Sequence, residues 1–306
     1  MRTDCRPDSA DGLALGAGAY LLWGLFPLYW PLLEPSSPAE ILAHRIVWSL
    51  LTVVVLLLLT RRVGQALQVV RDRRRLAYLA VGGAVVALNW GTYIYAVNTG
   101  HVVESSLGYF INPLVTIAFG VLFLRERPRP VQWLALAIAA AAVVELTWEY
   151  GRVPFIALTL ALTFGVYGLM KKKADVGSIE GLAVETATIA PFALGYLVFL
   201  AATGASTFGT DGVGHALLLA STGLVTALPL LLFGAAATRL SLTALGLLQY
   251  LAPILQFAFG VLLFKEEMSP GRWIGFALVW LALVIITVEA ARHRRRTLKA
   301  AAENVV

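Results

Sequence analysis

Apolar residues fill this chain in stretches of about bilayer length, divided by short clusters of charge, glycine and proline. Ten such stretches cover roughly residues 12–33, 38–60, 76–98, 101–124, 131–149, 154–170, 179–202, 214–238, 242–264 and 271–290. A hydrocarbon core about 30 Å thick needs roughly 20 residues of helix at ~1.5 Å rise each, so every stretch predicts a transmembrane helix. Strands are excluded, because the stretches lack the two-residue alternation of a membrane barrel. The expected fold class is an all-α polytopic membrane protein with ten transmembrane helices. The connections are too short to hold a soluble domain.

Composition agrees. Hydrophobic residues make up 59% of the 306 and charged residues only 14%, against about 25% charged in a soluble domain; mean hydropathy is +0.78. The first apolar stretch has full length, so an uncleaved helix is expected rather than a signal peptide. Cys5, alone of its kind, excludes an intrachain disulfide and a cysteine metal cluster.

The positive charges set an orientation. With the N-terminus inside, 20 of the 24 Lys and Arg fall in the cytoplasm: Arg2, Arg6, the run Arg61–Arg75, Arg125, Arg127, Arg129, Lys171–Lys173, Arg239 and the tail Arg292–Lys299. Only Arg152, Lys265 and Arg272 fall outside, and Arg45 lies within a helix. Both termini are expected to be cytoplasmic. The pI of 9.6 thus reflects topology and contact with anionic membrane lipids, not nucleic acid.

An internal repeat appears at an offset of 140 residues. Pro113 aligns with Pro253, Ala118–Leu122 with Ala258–Leu262, Arg125-Glu126 with Lys265-Glu266, Trp133 with Trp273, Gly83 with Gly223 and Glu40 with Glu180. Five helices per half is odd, so the second half enters the membrane upside down. The expected parts are a tail (1–11), a first half (12–149), an inverted second half (150–290) and a basic tail (291–306). Inverted repeats underlie alternating access in many secondary transporters.

Polar residues within spans are costly and usually face a partner or cavity. Arg45 invites two readings, a site for an anionic group or outer gate and a structural ion pair to Glu104. Its repeat mate Glu185 is expected at a different depth and is the candidate proton-coupling carboxylate; Arg45, Glu104 and Glu185 are together expected to be the gating or coupling charges. A second group, Asn89, Trp90, Tyr93, Tyr109, Asn112, Gln249 and Tyr250, recurs in repeat-related helices. Singly these residues serve as well for helix contacts; together they predict a cavity for an uncharged or zwitterionic small molecule. No metal spacing, nucleophile elbow or phosphate-binding loop is present, so an enzyme or nucleotide-driven pump is not expected.

The stretches Ile41–Ser49, Leu88–Asn98, Ser105–Leu114 and Gly246–Pro253 resemble the RarD family, in the EamA branch of the drug/metabolite transporter superfamily. The resemblance covers nearly the whole chain. It implies two inverted five-helix EamA repeats around a central cavity, in a bacterial inner membrane, with drug-resistance associations and poorly defined substrates. The expected function is a secondary transporter, an exporter before an uptake permease, of a small metabolite or drug, as monomer or homodimer, with no cofactor. The rival is a non-transporting scaffold or lipid-handling protein, which needs no cavity open to either side.

Overall fold

The computed structural model describes residues 10–124, 129–237, 239–240, 244 and 247–303. The repeat pair Arg125-Glu126, together with Arg2, Cys5, Arg6 and Arg127, lies outside the described residues. Every regular element among the described residues is helical, as an apolar solvent demands of backbone that must satisfy its own hydrogen bonds.

The first expected span is α1 (Ala10–Gly24), then α2 (Phe26–Tyr29) and a 3-10 turn over Trp30–Leu33, bent by 43°. Pro27 sits in the first turn of α2. Its missing N–H leaves the carbonyl four residues back unpaired, and the amide of Gln256 donates to that Trp23 oxygen at 3.2 Å. The chain continues through α3 (Pro38–Leu59), α4 (Val63–Arg71), α5 (Arg73–Asn98), α6 (Val102–Leu124) and α7 (Pro130–Tyr150). The remaining helices are α8 (Phe155–Ala174), α9 (Ser178–Thr203), α10 (Gly212–Ala237), α11 (Leu251–Ala258) and α12 (Pro270–Glu303). One π turn, Phe259–Leu263, extends α11.

Among the described residues, eight helices are long and apolar enough to cross a bilayer, or nine if the bent first pair is one span. The protein is a multi-pass membrane protein.

Two elements differ from expectation. The basic run Arg61–Arg75 holds a short helix, α4, which seats Ala66 and Val69 against the bundle. The stretch 242–264 is not one continuous helix: Gln249 and Tyr250 form a turn, and α11 starts after it. Pro253 falls in the first turn of α11, where a proline's missing N–H costs nothing because that N–H has no helical partner anyway. Its repeat mate Pro113 lies inside the unbroken α6 instead.

Helices of the first half pack mainly on helices of the second. α5 packs on α8 and α1 on α10; α6 on α8 and α1 on α11; α3 on α10 and α5 on α9; α3 on α9, α6 on α11 and α7 on α12. Large apolar side chains such as Trp148 (87% exposed) and Phe192 (80%) point outward, as lipid-facing positions do.

Two of the crossings that depend on glycine are related by the repeat offset. A Cβ on Gly83 would stand 2.7 Å from the Glu185 backbone oxygen, and one on Gly223 would overlap the Trp48 carbonyl, 2.5 Å from its carbon. These are the α5–α9 and α10–α3 crossings, and the two glycines are the pair at the 140 offset.

The first turns of α3 and α9 anchor the ends of the bundle. Glu40 accepts from Thr207 N at 2.8 Å and Ser206 Oγ at 3.3 Å, in the connection after α9. Its mate Glu180 pairs with Arg62 at 3.3 Å, in the connection after α3.

Candidate functional site

The site is built on α3. Ser37 opens the helix by accepting the Glu40 N–H at 3.2 Å, with Pro38 at the first helical position, both favoured choices there. Two turns further, Arg45 is 3% exposed. Its Nε donates to Thr226 Oγ1 of α10 at 3.0 Å. Its guanidinium carbon lies 4.1 Å from the Trp90 ring centre, 4.9 Å from Trp30 and 5.6 Å from Phe26. Each is within cation–π range, worth about 2 kcal/mol or more when desolvated. Nη1 makes no hydrogen bond among the described residues, and no carboxylate there lies within ion-pair distance of the guanidinium.

Tyr93 and Tyr109 stand within electrostatic reach of the arginine and pack edge to face at 5.6 Å. Tyr109 OH donates to Asn89 Oδ1 at 3.4 Å. Asn89 Nδ2 donates to Leu160 O and Thr163 Oγ1, both at 2.9 Å. Asn89 therefore ties α5 to α8, with Tyr109 hung from its oxygen. The hydroxyl of Tyr93 and the indole N–H of Trp30 are buried without a hydrogen-bond partner among the described residues.

The expected set divides. Asn89, Trp90, Tyr93 and Tyr109 gather with Arg45. Tyr250 packs instead on the cluster formed by α6, α7 and α12 and reaches Thr287. Gln249 is half-buried in the turn before α11. Asn112 is half-buried, its Oδ1 without a hydrogen-bond partner among the described residues. Phe26, Trp30 and Thr226 join the site though the sequence reading did not select them. The four-residue spacing of Phe26 and Trp30, one helical turn, was the available signal.

The Arg45–Glu104 pair expected from sequence is not formed. Glu104, 2% exposed, pairs with Arg152 at 2.7 Å and accepts the Ile156 N–H at 3.1 Å. The start of α6 thus holds the α7–α8 connection, and Arg45 is left with aromatic rings and a hydroxyl. Glu185 pairs with Lys171 at 3.1 Å and accepts from Tyr167 OH at 3.1 Å, so the repeat mates Arg45 and Glu185 take separate partners.

Beside Glu104, a cleft of about 370 Å³ opens, lined by His101, Tyr150, Arg152, Glu266 and Arg272 among others. Glu266 accepts the N–H groups of Val102 at 2.5 Å and Val103 at 3.1 Å, which begin α6, an anion on the positive end of a helix. Burial pushes its carboxyl up to about 7, against the pull of these N–H groups and Arg272.

The model of the EamA-like transporter family matches the chain twice, over residues 11–148 and 152–288. Protein RarD of Streptomyces exfoliatus is 56% identical over 98% of this chain and 96% of that protein. Protein RarD of Escherichia coli strain K12 is 40% identical over 94% and 98%. The chloramphenicol-sensitive protein RarD of Pseudomonas aeruginosa is 30% identical over 94% and 97%. A solved crystal structure with 21% sequence identity superposes with a TM-score of 0.59, over 93% of this chain and all of that one, and carries the fold alone. The chain belongs to the RarD family of EamA-like transporters.

Proposed function

We propose that this protein is a secondary transporter that moves a small molecule, outward before inward, across a bacterial inner membrane by alternating access of two inverted five-helix halves. The observation that carries the reading is the paired packing of the helices. Exchanging the halves turns the α5–α8 contact into α1–α10, α6–α8 into α1–α11, and α3–α10 into α5–α9, with Gly83 and Gly223 at equivalent crossings. Two inverted halves in contact have two arrangements of similar energy, one open to each side. On this reading the broken span ahead of α11 completes ten crossings. The termini are cytoplasmic, Glu104 lies near the outer surface, and the substrate sits at the Arg45 cluster between the halves. Glu185, held by Lys171 and Tyr167, serves as the coupling carboxylate.

The test combines flux with access. Protein reconstituted in liposomes should carry radiolabelled chloramphenicol or a member of a metabolite panel down a pH gradient. On a Cys5→Ser background, Asn112→Cys and Gln249→Cys should react with a membrane-impermeant maleimide, and ligand should change the side from which they react. Reaction from neither side would sink the transporter reading in favour of a scaffold.

A further inference from the structure

The Arg45 cluster is rich in donors and poor in acceptors. Its buried groups without a hydrogen-bond partner among the described residues are Arg45 Nη1, Trp30 Nε1 and the Tyr93 hydroxyl. The first two can only donate, and the third donates readily. A buried donor left unmade costs about 1–3 kcal/mol, and a charged one more, so their coincidence around one guanidinium calls for an acceptor from outside the chain. The faces of the guanidinium are already taken by Trp90, Trp30 and Phe26. Its free edge is thus what remains for a ligand, and a planar carboxylate matches that edge.

We infer that Arg45 is the anion site of this transporter, and that its substrate is a monocarboxylate with an apolar or aromatic body. Resting on the transport reading above, this names the substrate class of the same site. One unpaired guanidinium edge meets one negative charge. No carboxylate within ion-pair distance of the arginine among the described residues would hold an ammonium, which favours a simple anion over the zwitterion or neutral molecule expected from the amides and phenols alone. The rings of Trp90, Tyr93 and Tyr109 supply the apolar wall.

The experiment compares isosteric pairs on purified protein: benzoate with benzamide, indole-3-acetate with indole-3-acetamide, and hexanoate with hexanamide. Thermal shift and calorimetry read binding, and liposomes read flux. At least one carboxylate should raise the melting temperature where its amide does not. Arg45→Gln should weaken that carboxylate roughly 10- to 100-fold, the loss of one charge-assisted hydrogen bond of about 1.5–3 kcal/mol. Tyr93→Phe, which removes only a hydroxyl, should weaken it less. If Arg45→Gln does not fold, Arg45→Lys keeps the charge and loses the planar edge, and should bind more weakly than wild type while Tyr93→Phe gives the second reading. Equal binding of acid and amide, retained binding in the folded Arg45→Gln protein, or no stabilisation by any of the three acids overturns the inference. A neutral compound that crosses while the acids are inert overturns it and leaves the transport reading intact. Acids that bind through Arg45 and never cross support this site and overturn transport.

Discussion

Replacing Gly223 with alanine is the sharpest test of the packing. The new Cβ would lie 2.5 Å from the carbonyl carbon of Trp48, where non-bonded carbons prefer about 3.5–4.0 Å. The obstacle is helix backbone, which has no rotamer to change, so α10 has to move about 1 Å away from α3. Overpacking of this kind costs about 1–3 kcal/mol. Thr226 lies three residues along the same helix, and its 3.0 Å contact to Arg45 Nε would stretch beyond hydrogen-bonding range. That bond, to a charged group, is worth about 1.5–3 kcal/mol. Alanine's better helix propensity returns only about 1 kcal/mol. The net expectation is a loss of about 1.5–5 kcal/mol. Gly234 on the same helix is the control, since a Cβ there meets nothing within 4 Å, and Gly234→Ala should be neutral or slightly stabilising. The assay is reversible unfolding in mixed micelles, followed by far-ultraviolet circular dichroism. If Gly223→Ala unfolds at the same denaturant level as Gly234→Ala, the close crossing of α3 and α10 is refuted.

Three further outcomes follow from particular contacts. Glu185→Gln should abolish flux driven by a pH gradient while sparing substrate exchange in liposomes; unchanged driven flux would remove Glu185 from the coupling role. Glu104→Ala strips both Arg152 and the Ile156 N–H of their partner. It should cost about 1–3 kcal/mol of unfolding free energy, mainly for the buried Ile156 N–H left unmade, since Arg152 is 37% exposed and can be hydrated; the double variant with Arg152→Ala should lose less than the two singles added together. For Glu266, the carboxyl rises from 4.5 to about 7 on folding, so the native state binds its proton more tightly than the unfolded chain does. Its contribution should therefore fall as pH rises from 4.5 to about 7 and then level off. Glu266→Gln should flatten that part of the melting-temperature profile, and a profile identical to wild type would show that another group titrates there.

Much of the fold was legible because membrane spans are written in length and apolarity. Nine of the ten expected stretches correspond to spans of the right extent, counting the bent first pair as one. The exception, 242–264, failed at Gln249 and Tyr250 because a proline three residues on suits a helix start as well as a helix interior; Pro113 and Pro253 look alike in sequence and behave differently. At the site, Asn89, Trp90, Tyr93 and Tyr109 were recognisable as polar and aromatic groups on two helices, and they do meet. The partner of Arg45 was misjudged because sequence gives depth without azimuth. Glu104 is at a plausible height, but Arg152 and the Ile156 N–H claim it. Thr226 reaches the arginine from a helix far along the chain, which residue spacing does not encode, and Trp30 reaches it through the bend of the segment just before α3.

The two end anchors described above are chemically unlike, although they stem from equivalent glutamates. Glu40 is held by a backbone N–H and a hydroxyl, whereas Glu180 is held by an arginine whose side chain is 48% exposed. Both are made at once in this conformation, and under the alternating access proposed above, opening at either end would release the anchor there. Dissolved salt weakens an exposed ion pair over a Debye length of about 8 Å at physiological strength and leaves bonds to neutral donors largely untouched. The ionic composition of the medium thus acts on one anchor and not the other, and under the proposed mechanism the balance between the two openings would become a function of the salt on the Arg62 side.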